Sequence, residues 1–190
     1  MSGLRERKKA QTRKALADAA LRLFLERGYD AVSVKEVAEA AEVSVPTLFA
    51  HFPDGKESLV FDMDGDREAA LVAAVRDRAP GTTVLEGLRE GFAKNPRPGD
   101  TAEMRDFMRL IEETPALSSY FHKMWLRHEG ALARAIAEDL GREPDDLAVV
   151  SLAHLVFGAL DVARRRDDPA GDLDRIFELL EKGWGSILKP

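Results

Sequence analysis

Histidines and carboxylates are the side chains of this chain best suited to acid–base or metal chemistry, and their spacing limits what they can do. His122 and His128 stand six residues apart, on different faces of any helix. His128-Glu129 is followed by no second histidine one turn on, so the two-histidine zinc pattern of a metalloprotease is not met. Neither a nucleophile elbow nor a phosphate-cradling glycine loop occurs. There is no cysteine, which excludes disulfides, thiolate metal sites and thiol nucleophiles and suits a reducing cytoplasm. The reading is against an enzyme and calls for no metal and no cofactor.

The second chemistry on offer is charge. The net value of −6 hides an asymmetry: residues 1–56 hold ten Lys/Arg against eight Asp/Glu, so the remaining 134 residues carry a net −8. Within the first fourteen residues Arg5, Arg7, Lys8, Lys9, Arg13 and Lys14 face only Glu6. A positive end on an acidic body suits a phosphate-bearing partner, because cations that displace counterions supply most of nucleic-acid affinity. The rival is a helical interaction module whose basic tail meets an acidic protein surface.

The elements that must position these groups are helices. Hydrophobic residues make up 45% of the chain and charged residues 33%, and Ala, Leu, Arg and Glu are abundant. Leu16, Ala20, Leu23 and Phe24 recur at helical spacing, predicting a first helix from about Arg7 to a stop at Gly28. Ser33-Val-Lys-Glu36 reads as a capping box opening a helix to about Ala41. Ser44 can cap a third helix to about His51, with Pro46 tolerated in its first turn. Further helices are expected over Lys56–Arg78, from the capping box at Thr83 to Lys94, and, after a loop with Pro96, Pro98 and Gly99, from Asp100 or Thr101 to Glu113. The last three are expected from Thr114-Pro115 to Gly141, from Pro144 to the Arg164–Arg166 run, and from Asp168-Pro169 to about Leu188. The fold class is therefore all-α, about nine helices with no convincing strand. No stretch approaches the ~18 apolar residues of a membrane span, so no membrane is expected.

Two short helices joined by a tight turn, braced by a preceding helix, make the geometry that lays a recognition helix in the major groove. The stretch Arg13–Leu59 resembles the DNA-binding domain of the tetracycline-repressor (TetR/AcrR) family. The matching residues are Glu26-Arg27-Gly28-Tyr29, Ser33-Val34-Lys35-Glu36-Val37-Ala38, Val43-Ser44, Thr47-Leu48-Phe49-Ala50-His51-Phe52 and Lys56-Glu57-Ser58-Leu59. The resemblance implies residues 1–55 as a helix-turn-helix domain with a basic tail, and residues 56–190 as a helical domain for ligand binding and dimerisation. It implies a cytoplasmic ligand-responsive regulator, expected to be a repressor, that binds palindromic operator DNA as a homodimer. On the reading head, Ser33 and the second helix's N–H groups are expected at a phosphate, as are Lys56, His51 and the ring of Phe49, which stands where many relatives have Tyr. Val45, Pro46, Thr47 and Ala50 are expected in the groove, with Ser44 at the helix cap beside them. Because no Arg, Asn or Gln lies on the recognition helix, direct base readout should be thin. Lys35, together with Arg5 to Lys14 in a tail able to enter the minor groove (Arg13 included), are the remaining DNA candidates. Glu42 occupies a turn position where Gly is usual.

In the larger domain Phe92, Phe107, Met108, Tyr120, Met124, Trp125 and Phe157 supply aromatic and thioether surface for a pocket, with His128 and His154 as polar groups to orient a small, mainly apolar effector. The last two helices carry wide apolar stripes. Leu147, Val150, His154, Phe157 and Leu160 lie on one, and Leu173, Ile176, Phe177, Leu180, Trp184 and Ile187 on the other, too wide for a single contact. Paired with twofold mates they are expected to form a four-helix bundle.

Overall fold

The computed structural model describes residues 2–62, 64–94, 102–166 and 168–184. The expected loop at Pro96, Pro98 and Gly99, the helix start at Asp100 or Thr101, the Trp184 side chain, Ile187 and Leu188 lie outside what is described. Among the described residues there are nine α-helices, one short 3-10 turn and no strand. The chain forms two compact units, Met1–Asp64 with Arg105–His122, and Gly65–Met104 with Lys123–Pro190.

In the first unit α1 (Ser2–Arg27) starts five residues earlier than its apolar spacing predicts. Its earliest buried side chain is Leu16, and residues 3–11 are exposed throughout, so the added turns bury nothing. Gly28 ends the helix at φ +84°, the left-handed conformation that a residue without Cβ adopts freely. Helices α2 (Val34–Ala40) and α3 (Val45–His51) have seven residues each, too short to persist alone. Val37, Ala38 and Leu48 are buried, as are Leu16, Ala20 and Phe24 of α1, and α1 contacts both short helices, so packing holds them in place. The turn between them keeps Glu42 at φ +56°, a conformation costing an L-residue roughly 1 kcal/mol or more.

The expected continuous helix from Lys56 to Arg78 is broken. Glu57–Leu59 forms the 3-10 turn, and α4 runs only over Asp64–Arg76. Ser58, Leu59, Val60 and Phe61 are four consecutive buried residues. A single α-helix turns about 100° per residue and cannot point four neighbours inward, so the backbone bends to bury them all. Phe61 stacks on Tyr120, with ring centroids 5.2 Å apart. Tyr120 belongs to the opening turns of α7 (Pro115–Leu140), which follows α6 (Ala102–Glu113).

The second unit contains α4, α5 (Val84–Lys94), most of α7, α8 (Leu147–Ala163) and α9 (Pro169–Trp184). The Thr83 capping box forms: Thr83 N–H donates to Glu86 Oε2 (2.6 Å) and Glu86 N–H to Thr83 Oγ1 (3.2 Å). Helices α4 and α5 pack so closely that a Cβ on Gly87 would sit 2.5 Å from the Ala74 carbonyl oxygen. Arg89 forks onto Asp174 (2.6 and 2.8 Å), tying α5 to α9 beside the Phe92–Phe177 ring contact. Leu132, Ile136, Val149, Leu152, Val156 and Phe157 make the core.

Candidate nucleic-acid interface

The reading head is assembled by caps. Ser33 Oγ accepts from Glu36 N–H (3.2 Å), and the Glu36 carboxylate takes the Ser33 N–H and hydroxyl, both at 2.8 Å. That carboxylate also accepts from Arg27 (2.7 Å). The backbone donor at Ser33, followed by Arg27, holds the Glu36 carboxyl down at about 2. Ser44 caps α3 by accepting from Thr47 N–H (3.2 Å), and its Oγ lies 2.8 Å from Thr47 Oγ1. Pro46 follows in the first turn, where its missing N–H leaves no bond unmade.

Helix α3 faces outward. Leu48 is its only buried residue; Pro46, Phe49 and Ala50 are exposed, and Val45, Thr47 and His51 are half-buried. Phe49 leaves 43% of its surface open, a large apolar ring on an otherwise small-residue face. Lys35 is exposed on α2 and is 3.7 Å from Glu39, too exposed a pair to hold it.

Two cations expected at the DNA, Lys56 at a phosphate and Arg13 in the minor groove, have partners inside the head. Arg13 pairs with Asp62 (Nε–Oδ1 2.6 Å), donates from Nη1 to the His51 carbonyl (2.6 Å) and lies over the Phe52 ring at 4.3 Å. Lys56 donates to the Tyr29 carbonyl and lies 3.8 Å from the centroid of the Tyr29 ring. Burial pushes the Lys56 ammonium below its usual value. Tyr29 donates to Glu57 (2.9 Å), and burial, then that carboxylate, raises its phenol above the usual value. Neither partner was legible, because Asp62 lies 49 residues from Arg13 and Tyr29 lies 27 from Lys56.

His51 closes α3 with Nδ1 buried and without a hydrogen-bond partner. Burial, then Lys9 and Arg13, lower its imidazole below the usual range, favouring the neutral ring in the free head.

The expected pocket residues fall into both units. Phe107, Met108 and Tyr120 belong to the first, all half-buried. Phe92, Met124, Trp125, His128, His154 and Phe157 belong to the second. There Trp125 meets Phe157 edge-on (4.9 Å), Met124 is buried, and buried His128 has Nε2 3.8 Å from Glu68 Oε2. His154 is exposed and pairs with Glu129 (3.2 Å). A groove of about 410 Å³ along α4 is lined by Glu68, Val72 and Arg76 among others, and by none of the expected pocket residues.

Helix α8 divides the stripe expected on it. Phe157 and Leu160 are buried, whereas Leu147 (82% exposed), Val150 (42%) and His154 face out, joined by Gly158 and Val162. On α9 Phe177 is buried and Leu179 is 67% exposed. Exposed Leu179 was not among the expected stripe residues.

Residues 16–63, which include the two capped helices, match the model described as bacterial regulatory proteins, tetR family, and residues 78–185 match the model described as the MftR C-terminal domain. The chain belongs to the tetR family. As a tetR-family member it is a DNA-binding transcriptional regulator with a helix-turn-helix head. It is 37% identical over 152 residues to the HTH-type transcriptional regulator TcmR of Streptomyces glaucescens, covering 76% of this chain and 67% of that protein. It is 26% identical over 179 residues to the HTH-type transcriptional repressor AcnR of Corynebacterium diphtheriae, covering 90% of each. Among solved structures it is similar to the tetR-family repressor FadR of Thermus thermophilus in complex with lauroyl-CoA. The TM-score is 0.53, at 26% identity, covering 90% of this chain and 94% of that one. No helix among the described residues is long and apolar enough to cross a membrane.

Proposed function

We propose that the chain is a homodimeric cytoplasmic repressor that binds a palindromic operator and is released by a small, mainly apolar effector. The observation that carries this reading is the outward face of α3, which buries only Leu48 and presents Val45, Pro46, Thr47 and Phe49 at a capped N-terminal end. Thr47, the apolar groups and Lys35 reach thymine methyls and base edges, with Ser44 at the cap beside them, while Ser33 and His51 approach phosphates. Arg13 and Lys56 act as braces, fixing α3 and the 56–62 link to α1, so that the head is a rigid body when it docks. Residues 1–55 serve DNA binding and residues 56–190 the effector and partner, with the 56–62 link packed onto the head by Arg13–Asp62 and Lys56–Tyr29.

The exposed apolar face of α8, with Leu147, Val150, Gly158 and Val162, and Leu179 on α9, is the dimer interface. A second copy is the occupant because a regulator with one outward recognition helix per chain needs a twofold mate to read two half-sites. The effector lodges within the second unit, among Phe92, Met124, Trp125, His128 and Phe157. An apolar effector fits both that lining and the acyl ligand of FadR. Release is a population shift, worth roughly 1–3 kcal/mol or about 5- to 150-fold in operator affinity, and the operator weakens effector binding by the same factor.

Gel shifts on genomic fragments test the reading. Sequence-specific, salt-sensitive retardation that Thr47→Ala and Phe49→Ala abolish is the expected result, and indifference to both substitutions contradicts it.

A further inference from the structure

The cations of residues 2–62 divide sharply. Lys14, Arg22 and Arg27 each pair with a carboxylate, Lys35 sits loosely beside Glu39 on α2, Arg13 pairs with Asp62, and Lys56 with the Tyr29 carbonyl. Among the described residues this leaves Arg5, Arg7, Lys8 and Lys9, all exposed, on the turns of α1 that bury nothing. With about 100° per residue, Arg5, Lys8 and Lys9 fall within an arc of about 100°, whereas Arg7 lies on the opposite side with Lys14. Lys9 is one turn, about 6 Å, from Arg13 and about 40° round from it. Arg13 touches the last carbonyl of α3, so the stripe runs out from the end of the recognition helix. The depressed His51 imidazole agrees, since Lys9 is one of its causes.

This stripe has no packing role, and its like charges at i, i+4 (Arg5 with Lys9, Lys9 with Arg13) weaken the free helix. An anionic partner removes that cost. The segment was expected as a tail entering the minor groove, but a helix about 10–12 Å across does not fit a groove about 6 Å wide. We propose that Arg5, Lys8 and Lys9 form a phosphate-tracking stripe that follows the sugar-phosphate backbone beside the half-site and reads no bases. The proposal rests on the operator reading above and adds the residues that supply its non-specific affinity, a role Arg13 and Lys56 leave open.

The test compares the full-length protein with Arg5→Ala, Lys8→Ala, Lys9→Ala, the triple variant and Arg7→Ala, on a duplex that the wild-type protein selects from random DNA. Fluorescence anisotropy gives the slope of log affinity against log salt. Every phosphate that a substitution leaves without its cation lowers the magnitude of that slope by about 0.9, or nearly twice that for one substitution in a dimer. The stripe variants show this and Arg7→Ala shows less than half of it. The triple variant keeps the wild-type ratio between the selected and a scrambled duplex. Unchanged slopes in the stripe variants, an equal effect from Arg7→Ala, or a collapsed ratio in the triple variant overturns the proposal, the last because it reveals base reading. If the wild-type protein selects no sequence, the operator reading fails, and the same slopes on an arbitrary duplex still decide the stripe.

Discussion

The reading head and the α8 face present opposite surfaces. The reading head holds α3 by internal polar contacts, two caps, the Arg13–Asp62 pair and the Lys56 contact, and α3 turns out small side chains and one open ring. Helix α8 buries half of its apolar stripe and leaves Leu147, Val150 and Val162 open. A face destined for wet, charged DNA needs rigid placement and little apolar area; a face destined for a second copy needs apolar area above all. The difference explains why seven-residue helices suffice at one site and a 17-residue helix serves at the other.

The largest effect should come from the apolar side of that contrast. Val150→Asp combined with Val162→Asp is expected to give a monomer in sedimentation. Operator affinity should fall at least about 100-fold, because two linked heads gain that much from effective concentration. Dimers of unchanged stability would break the comparison. Gly87→Ala, which touches neither face, forces a Cβ to 2.5 Å from the Ala74 carbonyl. It should cost about 1–3 kcal/mol, lowering Tm by about 2–4 °C for each. In the head, Glu42→Gly removes a positive-φ side chain and should raise stability by about 1 kcal/mol, read as a higher urea midpoint, with operator affinity unchanged.

The smallest effect is a pH dependence confined to the head. His51 has a lowered folded-state value, so its contribution to stability is present above about pH 6.5 and is lost as pH falls below it. A phosphate beside the ring reverses the shift, so operator binding takes up a proton. Affinity should rise as pH falls from 7.5 to 6, by up to about tenfold for each unit of difference between free and bound values. In His51→Gln titrations the slope should be flat; an unaltered slope removes His51 from the phosphate contacts.

Much of the head was legible because its signals are local. Ser33 with Glu36, and Ser44 before Pro46, place α2 and α3 within a residue of where they lie. What was missed depends on distance. The break before α4 follows from burying Ser58 to Phe61 against residues such as Tyr120, remote in sequence. The roles of Arg13 and Lys56 follow from partners 49 and 27 residues away. Gly87 reads as an ordinary helix glycine until Ala74 is seen against it. In α8 the 3.6-residue period gave the apolar positions but not their division between core and surface, because Val150 and Phe157 lie two turns apart on nearly the same face and yet one is exposed and the other buried.

Selection of duplexes from a random pool by the purified protein, followed by sequencing, tests the central claim most directly. The account predicts an inverted repeat whose two half-sites lie about one helical turn apart, or a multiple of it, and whose enrichment Thr47→Ala and Phe49→Ala remove. A single unrepeated motif, or a pool that stays random, would contradict it.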